Sequence, residues 1–236
     1  YGVEMAQYKA IEFSGPAVKE LSIDSRSTMS VLSVELGAKV GLFEVDEKTT
    51  DCLRSRTEEP IEHFKSDKDA SYEDLIELNL SELEPYVALP HDVGNVKPIT
   101  ECGEVPIDQA FIGTCTNGRL EDLEIAAKIL QGRKVHPDVR MMVIPASKEV
   151  LLTALDKGIV KTLIDAGSLV LNPQCGMCTG YIGMLNPGEV CICAQNRNFK
   201  GRMGSPESFL YLGSPATVAA SAIEGKIADP RKYLKA

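Results

Sequence analysis

No apolar run in this sequence approaches the roughly 18–20 residues that a membrane-spanning helix needs. Nor does an apolar segment behind a basic start mark an export signal. Excess positive charge is missing as well: 25 Lys and Arg stand against 34 Asp and Glu, a net charge of −9. A phosphate backbone selects the opposite balance, so a nucleic-acid partner is not expected. Internal repeats and low-complexity tracts are absent. The seven cysteines are an odd count, unlike the even set of a short secreted disulfide framework. Reduced thiols in a cytoplasmic setting, free to bind metal, are the expectation. The chain opens on Tyr1 rather than Met, as the later part of a longer protein would. What remains is 236 residues with 44% hydrophobic and 25% charged content, enough for one large or two modest globular domains.

Strand and helix signals alternate along the chain. A strand is expected over 9–13. Ser14 or Gly15 then caps a helix with Pro16 in its first turn, where a missing N–H costs nothing. Asp24 or Ser25 caps a second helix of about a dozen residues, ended by Gly37. Residues 40–45 read as a strand, and Asp46 caps a helix through Leu53. Polar composition over 54–74 predicts surface connection with some local helix, and the apolar–acidic alternation of 75–80 predicts an edge strand. Pro85, Pro90, Gly94 and Pro98 then mark a long loop, placing a domain boundary near residue 95. Two domains follow, 1–95 and 96–236. In the second, strands are expected over 110–113, 139–144, 168–171 and 189–194. Helices are expected over 120–130, from Ser147 through Leu155, over 159–166, and from Ser214 to Gly225. This rhythm predicts an α/β fold with a mostly parallel sheet covered on both faces.

Three loops behind those strands hold the chemistry. Cys115 follows the first. Cys175 and Cys178, at CxxC spacing, follow the strand at 168–171. Asn196, Arg197, Lys200 and Arg202 follow the strand at 189–194. Loops after parallel strands meet in one crevice, so these three are expected to form one site. Glycines and a proline beside the thiols let a bulky group approach the backbone. A structural zinc site wants four ligands, and His91 and His136 look like ordinary surface residues. Three cysteines suit a [4Fe–4S] cluster with one iron free of protein ligand, able to act as a Lewis acid. A lone CxxC also fits redox chemistry or half a zinc site. Cys191 and Cys193 are read as packing residues on opposite faces of a strand, and Cys52 and Cys102 as packing residues too. In an acidic chain, Arg197 and Arg202 could hold a di- or tricarboxylate by bidentate hydrogen bonds, with Lys200 left exposed. The ordinary reading of that segment is a solvated basic turn.

At these residues the chain resembles the large-subunit side of the aconitase superfamily, in the branch of 3-isopropylmalate dehydratase and homoaconitase. The motifs are Phe-Ile-Gly-Thr-Cys-Thr-Asn-Gly-Arg (111–119), Cys-Gly-Met-Cys (175–178), Asn-Arg-Asn-Phe-Lys-Gly-Arg-Met-Gly (196–204) and Tyr-Leu-Gly-Ser-Pro-Ala-Thr-Val-Ala-Ala-Ser-Ala (211–222), with residues 34–41 and Pro90-His91 upstream. The resemblance implies three-layer α/β domains and a [4Fe–4S] cluster on Cys115, Cys175 and Cys178. It implies substrate carboxylate on Arg197 and Arg202, Asn196 near the cluster, and Glu35 approaching the cluster and the substrate hydroxyl. The implied reaction removes water from a 2-hydroxy acid and returns it at the neighbouring carbon. Leucine biosynthesis is the setting implied for the isopropylmalate branch. A small subunit or swivelling domain is implied as the source of a serine base. Two positions depart from the family: Val31 stands where it usually has Asn, and Gln174 where it commonly has Gly. The family's Asp-Ser-His-Thr segment has no counterpart here, so this chain alone is expected to be catalytically incomplete. An iron–sulfur domain without hydratase chemistry, serving structure or iron sensing, is the alternative.

Overall fold

The computed structural model describes residues 2–234. They divide into a smaller unit, residues 4–83, and a larger one running from Glu84 onward together with the first residues of the chain.

The smaller unit opens with β1 (Ala10–Phe13), α1 (Pro16–Glu20) and α2 (Ile23–Leu32), followed by β2 (Val40–Phe43) and α3 (Glu47–Arg54). β1 and β2 pair in parallel, and Phe13 faces Phe43 in the register with the rings stacked 4.9 Å apart. The cap of α2 is Ser22, two residues before the expected Asp24, because its hydroxyl accepts the Ser25 N–H at 2.9 Å. Asp24 occupies the first turn instead, where its charge suits the helix dipole. α2 passes into a 3₁₀ turn, Ser33–Leu36, which Gly37 ends in the left-handed region at φ 77°. Asp46 caps α3 and also binds Arg26 at 2.6 Å, which holds its carboxyl well below the usual carboxylate range. Residues 55–79 form neither helix nor strand. The strand expected over 75–80 is therefore a misreading: Leu75 and Leu78 are 75% and 62% exposed, and a 3₁₀ turn, Leu80–Glu82, closes the segment. Alternation alone makes no strand without a neighbouring edge to satisfy its backbone.

The larger unit begins at residue 84 rather than 95. The segment expected as a loop forms a hairpin, β3 (Tyr86–Ala88) and β4 (Val96–Pro98), that joins the main sheet. Prolines are admissible there because β4 lies at the sheet edge, where no ladder partner needs the missing N–H. Next come β5 (Gln109–Gly113), α4 (Thr114–Asn117), α5 (Leu120–Leu130), β6 (Arg140–Ile144), α6 (Lys148–Asp156), α7 (Ile159–Ala166) and β7 (Leu169–Val170). The unit finishes with β8 (Val190–Cys193), β9 (Phe209–Leu212) and α8 (Pro215–Glu224). Of these, α4 and β9 were not foreseen from the sequence. The seven-stranded sheet has the order β4-β3-β9-β8-β5-β6-β7, parallel from β9 to β7 with the hairpin antiparallel.

Strand alternation divides the core in two. Ala110, Ile112, Met141, Val143 and Ile192 face helices α5 to α8. Phe111, Met142, Ile144, Cys191, Cys193 and Leu210 face the other way. That second face is covered by Met177, Leu185 and Met203, from the loops that carry the cysteines and arginines. Cys191 and Cys193 thus share one face, contrary to the expectation of opposite faces, since residues two apart in a strand project to the same side. Both are fully buried, as packing residues are.

Candidate functional site

β5 is the centre of the parallel sheet. Its connection through α5 leads to β6 on one side, whereas β8 pairs on the other. Connections leave these neighbouring strands in opposite directions, so a crevice opens beyond their C-terminal ends. The loop after β5 carries Cys115, and the loop after β8 carries Asn196, Arg197 and Arg202. Cys175 and Cys178 follow β7, two strands from β5. The topology thus puts the Cys115 and arginine loops at the switch point and the double-cysteine loop two strands along the same sheet.

The strand-to-loop step at β5 is tight. Thr114 takes φ 78°, a left-handed value uncommon for a residue with a side chain, and its Oγ1 accepts the Thr116 N–H at 3.1 Å. Gly118 closes the short α4, where a Cβ would lie 2.5 Å from the Ile144 carbonyl oxygen. This turn lifts Cys115 into an exposed position while Thr114 and Thr116 on either side are buried. Asn117 turns inward, and its Nδ2 donates to the Ala194 carbonyl at 2.9 Å, tying the β5 loop to the end of β8.

The double-cysteine loop is keyed into the core by the residue between its thiols. Met177 is fully buried in the second core layer, while Cys175 is exposed and Cys178 half-buried. Gly183 makes room for Met177: at φ 64°, a Cβ there would meet the Met177 sulfur at 2.4 Å. Buried Gln109 on β5 donates from Nε2 to the Gly183 carbonyl at 3.0 Å, holding the far end of the loop. Gln174, the residue departing from the family pattern, is exposed, and its Oε1 lies where a Cβ on Gly176 would fall within 2.9 Å.

Charge links the loops. Burial pushes the Cys178 thiol up to about 11, the Arg202 guanidinium pulls it down, and the thiols of Cys175, Cys193 and Cys115 push it up further. Cys115, Cys175 and Arg202 are therefore each within electrostatic reach of Cys178. Arg202 Nε is buried and has no acceptor among the described residues. Arg197 and Asn196 are half-buried on the same loop, Lys200 is exposed, and Met203 anchors the loop in the core. Glu35 belongs to the smaller unit, half-buried on its 3₁₀ turn.

This donor set can be weighed against metals. Among the described residues, no three His, Cys, Asp or Glu side chains converge to hold a metal ion. A tetrahedral zinc site needs that convergence, with each sulfur about 2.3 Å from one point. A cluster instead takes one thiolate at each of several irons, spreading its ligands over the corners of a cube. Three thiols on the loops after β5 and β7, two of them exposed, are donors of the kind such a cluster takes. A buried guanidinium N–H without an acceptor fits an anionic occupant beside it. Sequence reasoning missed the supports: Asn117, Gln195, Asn198, Met177 and Met203 received no role. Their signal is the run of carboxamides after an apolar strand and a methionine between two cysteines.

The comparisons agree with one another. The family described as "Aconitase family (aconitate hydratase)" matches residues 1–225. The 3-isopropylmalate dehydratase large subunit 2 of Archaeoglobus fulgidus is 51% identical over 99% of this chain and 56% of its own length. The 3-isopropylmalate dehydratase large subunit 1 of Thermotoga maritima is 49% identical over 99% of this chain and 57% of its own. The probable methanogen homoaconitase large subunit of Methanosarcina mazei is 51% identical over 98% of this chain and 59% of its own. The chain spans a little over half the length of the curated relatives it matches.

Proposed function

The chain belongs to the aconitase family, and from that premise we propose that it carries the cluster-binding and carboxylate-binding portion of a hydro-lyase. The substrate is a 2-hydroxy di- or tricarboxylate such as isopropylmalate or homocitrate. The observation that supports this reading is that Cys115, Cys175 and Arg202, from three separate loops, all act electrostatically on Cys178.

Cys115, Cys175 and Cys178 would hold a [4Fe–4S] cluster, which when bound supplies a Lewis-acid iron able to polarise a substrate hydroxyl. Arg197 and Arg202 bind carboxylate, since a guanidinium presents its donors in a fork that matches two carboxylate oxygens. The Arg202 Nε is buried without an acceptor among the described residues, which leaves one donor of that fork available to an anion. Asn196, half-buried on the same loop as the arginines, would supply an amide to the site. Glu35 is the acidic group assigned to the substrate hydroxyl, where a carboxylate accepts or returns a proton. A serine base comes from a small subunit, as the relatives' designation "large subunit" supports. None of the described helices is long and apolar enough to cross a membrane, and a cytoplasmic setting suits an oxygen-labile cluster.

The test is an assay of water loss and return on isopropylmalate and homocitrate, with this chain completed to the relatives' length and joined to a small subunit. Activity is expected in wild type, with kcat/KM lowered at least a hundredfold in Arg202→Lys, because a point charge replaces the fork. A completed, cluster-loaded enzyme inert on every hydroxy acid would leave a metal-binding domain without hydratase chemistry.

A further inference from the structure

The loop from Ala194 to Ser208 contains no helix or strand, yet the proposed carboxylate site asks it to aim two guanidinium groups. A parallel bridge to Leu185 holds its far end, where Leu185 N–H donates to Met203 O at 2.8 Å and Ser205 N–H to Leu185 O at 2.9 Å. Residues 195–202, which carry the arginines, have no such bridge and must be fixed by other bonds. Asn198 lies between the two arginines in sequence and is fully buried. Its Nδ2 donates to the Leu89 carbonyl at 2.7 Å and to the Asp92 carbonyl at 3.4 Å. Both acceptors belong to the turn of the β3–β4 hairpin. That turn is stiff in its own right: Leu89 N–H donates to Asn95 O at 2.8 Å, Asn95 N–H to Asp92 O at 3.2 Å, and Gly94 N–H to Asp92 Oδ1 at 2.7 Å. The His91 ring packs on Phe209 of β9, 5.9 Å between centroids. The turn is thus mounted on the main sheet.

We propose that Asn198 is a positioning residue, a clamp that fastens the arginine loop to the β3–β4 turn and so fixes the direction in which Arg197 and Arg202 meet a substrate carboxylate. Two further carboxamides secure the start of the loop. Gln195 Nε2 donates to Arg197 O at 2.8 Å, and Asn117 Nδ2 donates to Ala194 O at 2.9 Å. Met203 anchors its other end in the core. Asn198 is the member that reaches an element remote in sequence, over a hundred residues upstream, and the chemistry needs a donor there. The Leu89 carbonyl is its closer acceptor, so a side chain with no N–H or O–H takes away that donor, whereas the Asp92 carbonyl keeps the Asn95 N–H. The hairpin, which looks like a linker in the sequence, becomes the base against which the arginines are aimed. The proposal rests on the reading of the arginine loop as the carboxylate site.

Two measurements separate the clamp from that reading. Amide hydrogen exchange on this chain compares wild type with Asn198→Ala. Protection of residues 89–96 and 199–204 is expected to fall together by tenfold or more, with α5 and α8 unchanged. In the completed enzyme, KM for isopropylmalate is expected to rise at least tenfold with kcat within threefold and cluster content unchanged. Asn198→Asp guards against a folding defect in the alanine variant. Its carboxyl regains an O–H donor only when protonated, so its KM is expected to fall toward the wild-type value as pH is lowered. Unchanged protection of the two segments in Asn198→Ala overturns the clamp. Lost protection with an unchanged KM, while Arg202→Lys raises KM, overturns the positioning role. An unchanged KM in both Asn198→Ala and Arg202→Lys overturns the carboxylate reading and the positioning role with it.

Discussion

Cys178 sits deeper than its two companions, and that difference has a chemical cost. A thiol must lose its proton to bind metal, and burial has pushed this one up to about 11. At pH 8 roughly one Cys178 in a thousand is thiolate without metal. The sign follows directly: raising pH increases the thiolate fraction, so both alkylation and metal uptake at Cys178 accelerate, about tenfold per pH unit between 7 and 9. In the metal-free chain, iodoacetamide labelling followed by peptide mass analysis is expected to modify exposed Cys115 and Cys175 first and Cys178 last. Equal labelling of all three at pH 7 would contradict the burial. The cysteines themselves were legible in the sequence, from their spacing and their places after apolar runs. Their unequal depth was not, because it comes from Met177 turning inward between them, and nothing local fixes that direction. Cys191 and Cys193 teach a different lesson: the two-residue period of a strand assigns them one face, and applying it correctly needed no structure.

At the scale of elements, the second face of the sheet is closed by loops where a helix layer would ordinarily lie. Met177 and Met203 fill it from the cysteine and arginine segments respectively. Core and site are therefore one construction, and a packing error in the first should register in the second. Gly183 is the sharpest case, with φ 64° and a Cβ that would stand 2.7 Å from Met142 Cε as well as 2.4 Å from the Met177 sulfur. Gly183→Ala is expected to cost about 1–3 kcal/mol in urea unfolding and to lower iron retention on the CxxC loop, since Met177 must shift. Wild-type stability together with wild-type iron content would contradict the coupling. Elements with strong local signals were readable in advance: α5, α7 and α8 were expected within a residue of their observed bounds, and the Ser147 and Ser214 caps are as expected. The failures share one cause. β3, β4 and β9 are strands of three or four residues, too short for a periodic signal, and the β3–β4 hairpin is held in the sheet by β9, over a hundred residues on. Residues 75–80 alternate correctly but find no edge.

Across the whole molecule, the parallel order of the larger unit puts the proposed cluster and carboxylate residues on three separated loops that follow β5, β7 and β8. Family membership holds over residues 1–225, while the relatives extend to nearly twice the matched length. The smaller unit, built from two parallel strands and three helices, carries Glu35 on a 3₁₀ turn. The central claim is that Cys115, Cys175 and Cys178 together hold a [4Fe–4S] cluster. Its most direct test is anaerobic reconstitution with iron and sulfide, followed by iron and sulfide analysis and a visible spectrum, on wild type and Cys175→Ala. The account predicts close to four irons and four sulfides per chain in wild type, lost in the variant. Zinc in place of iron, or three thiols that still titrate freely after reconstitution, would contradict it.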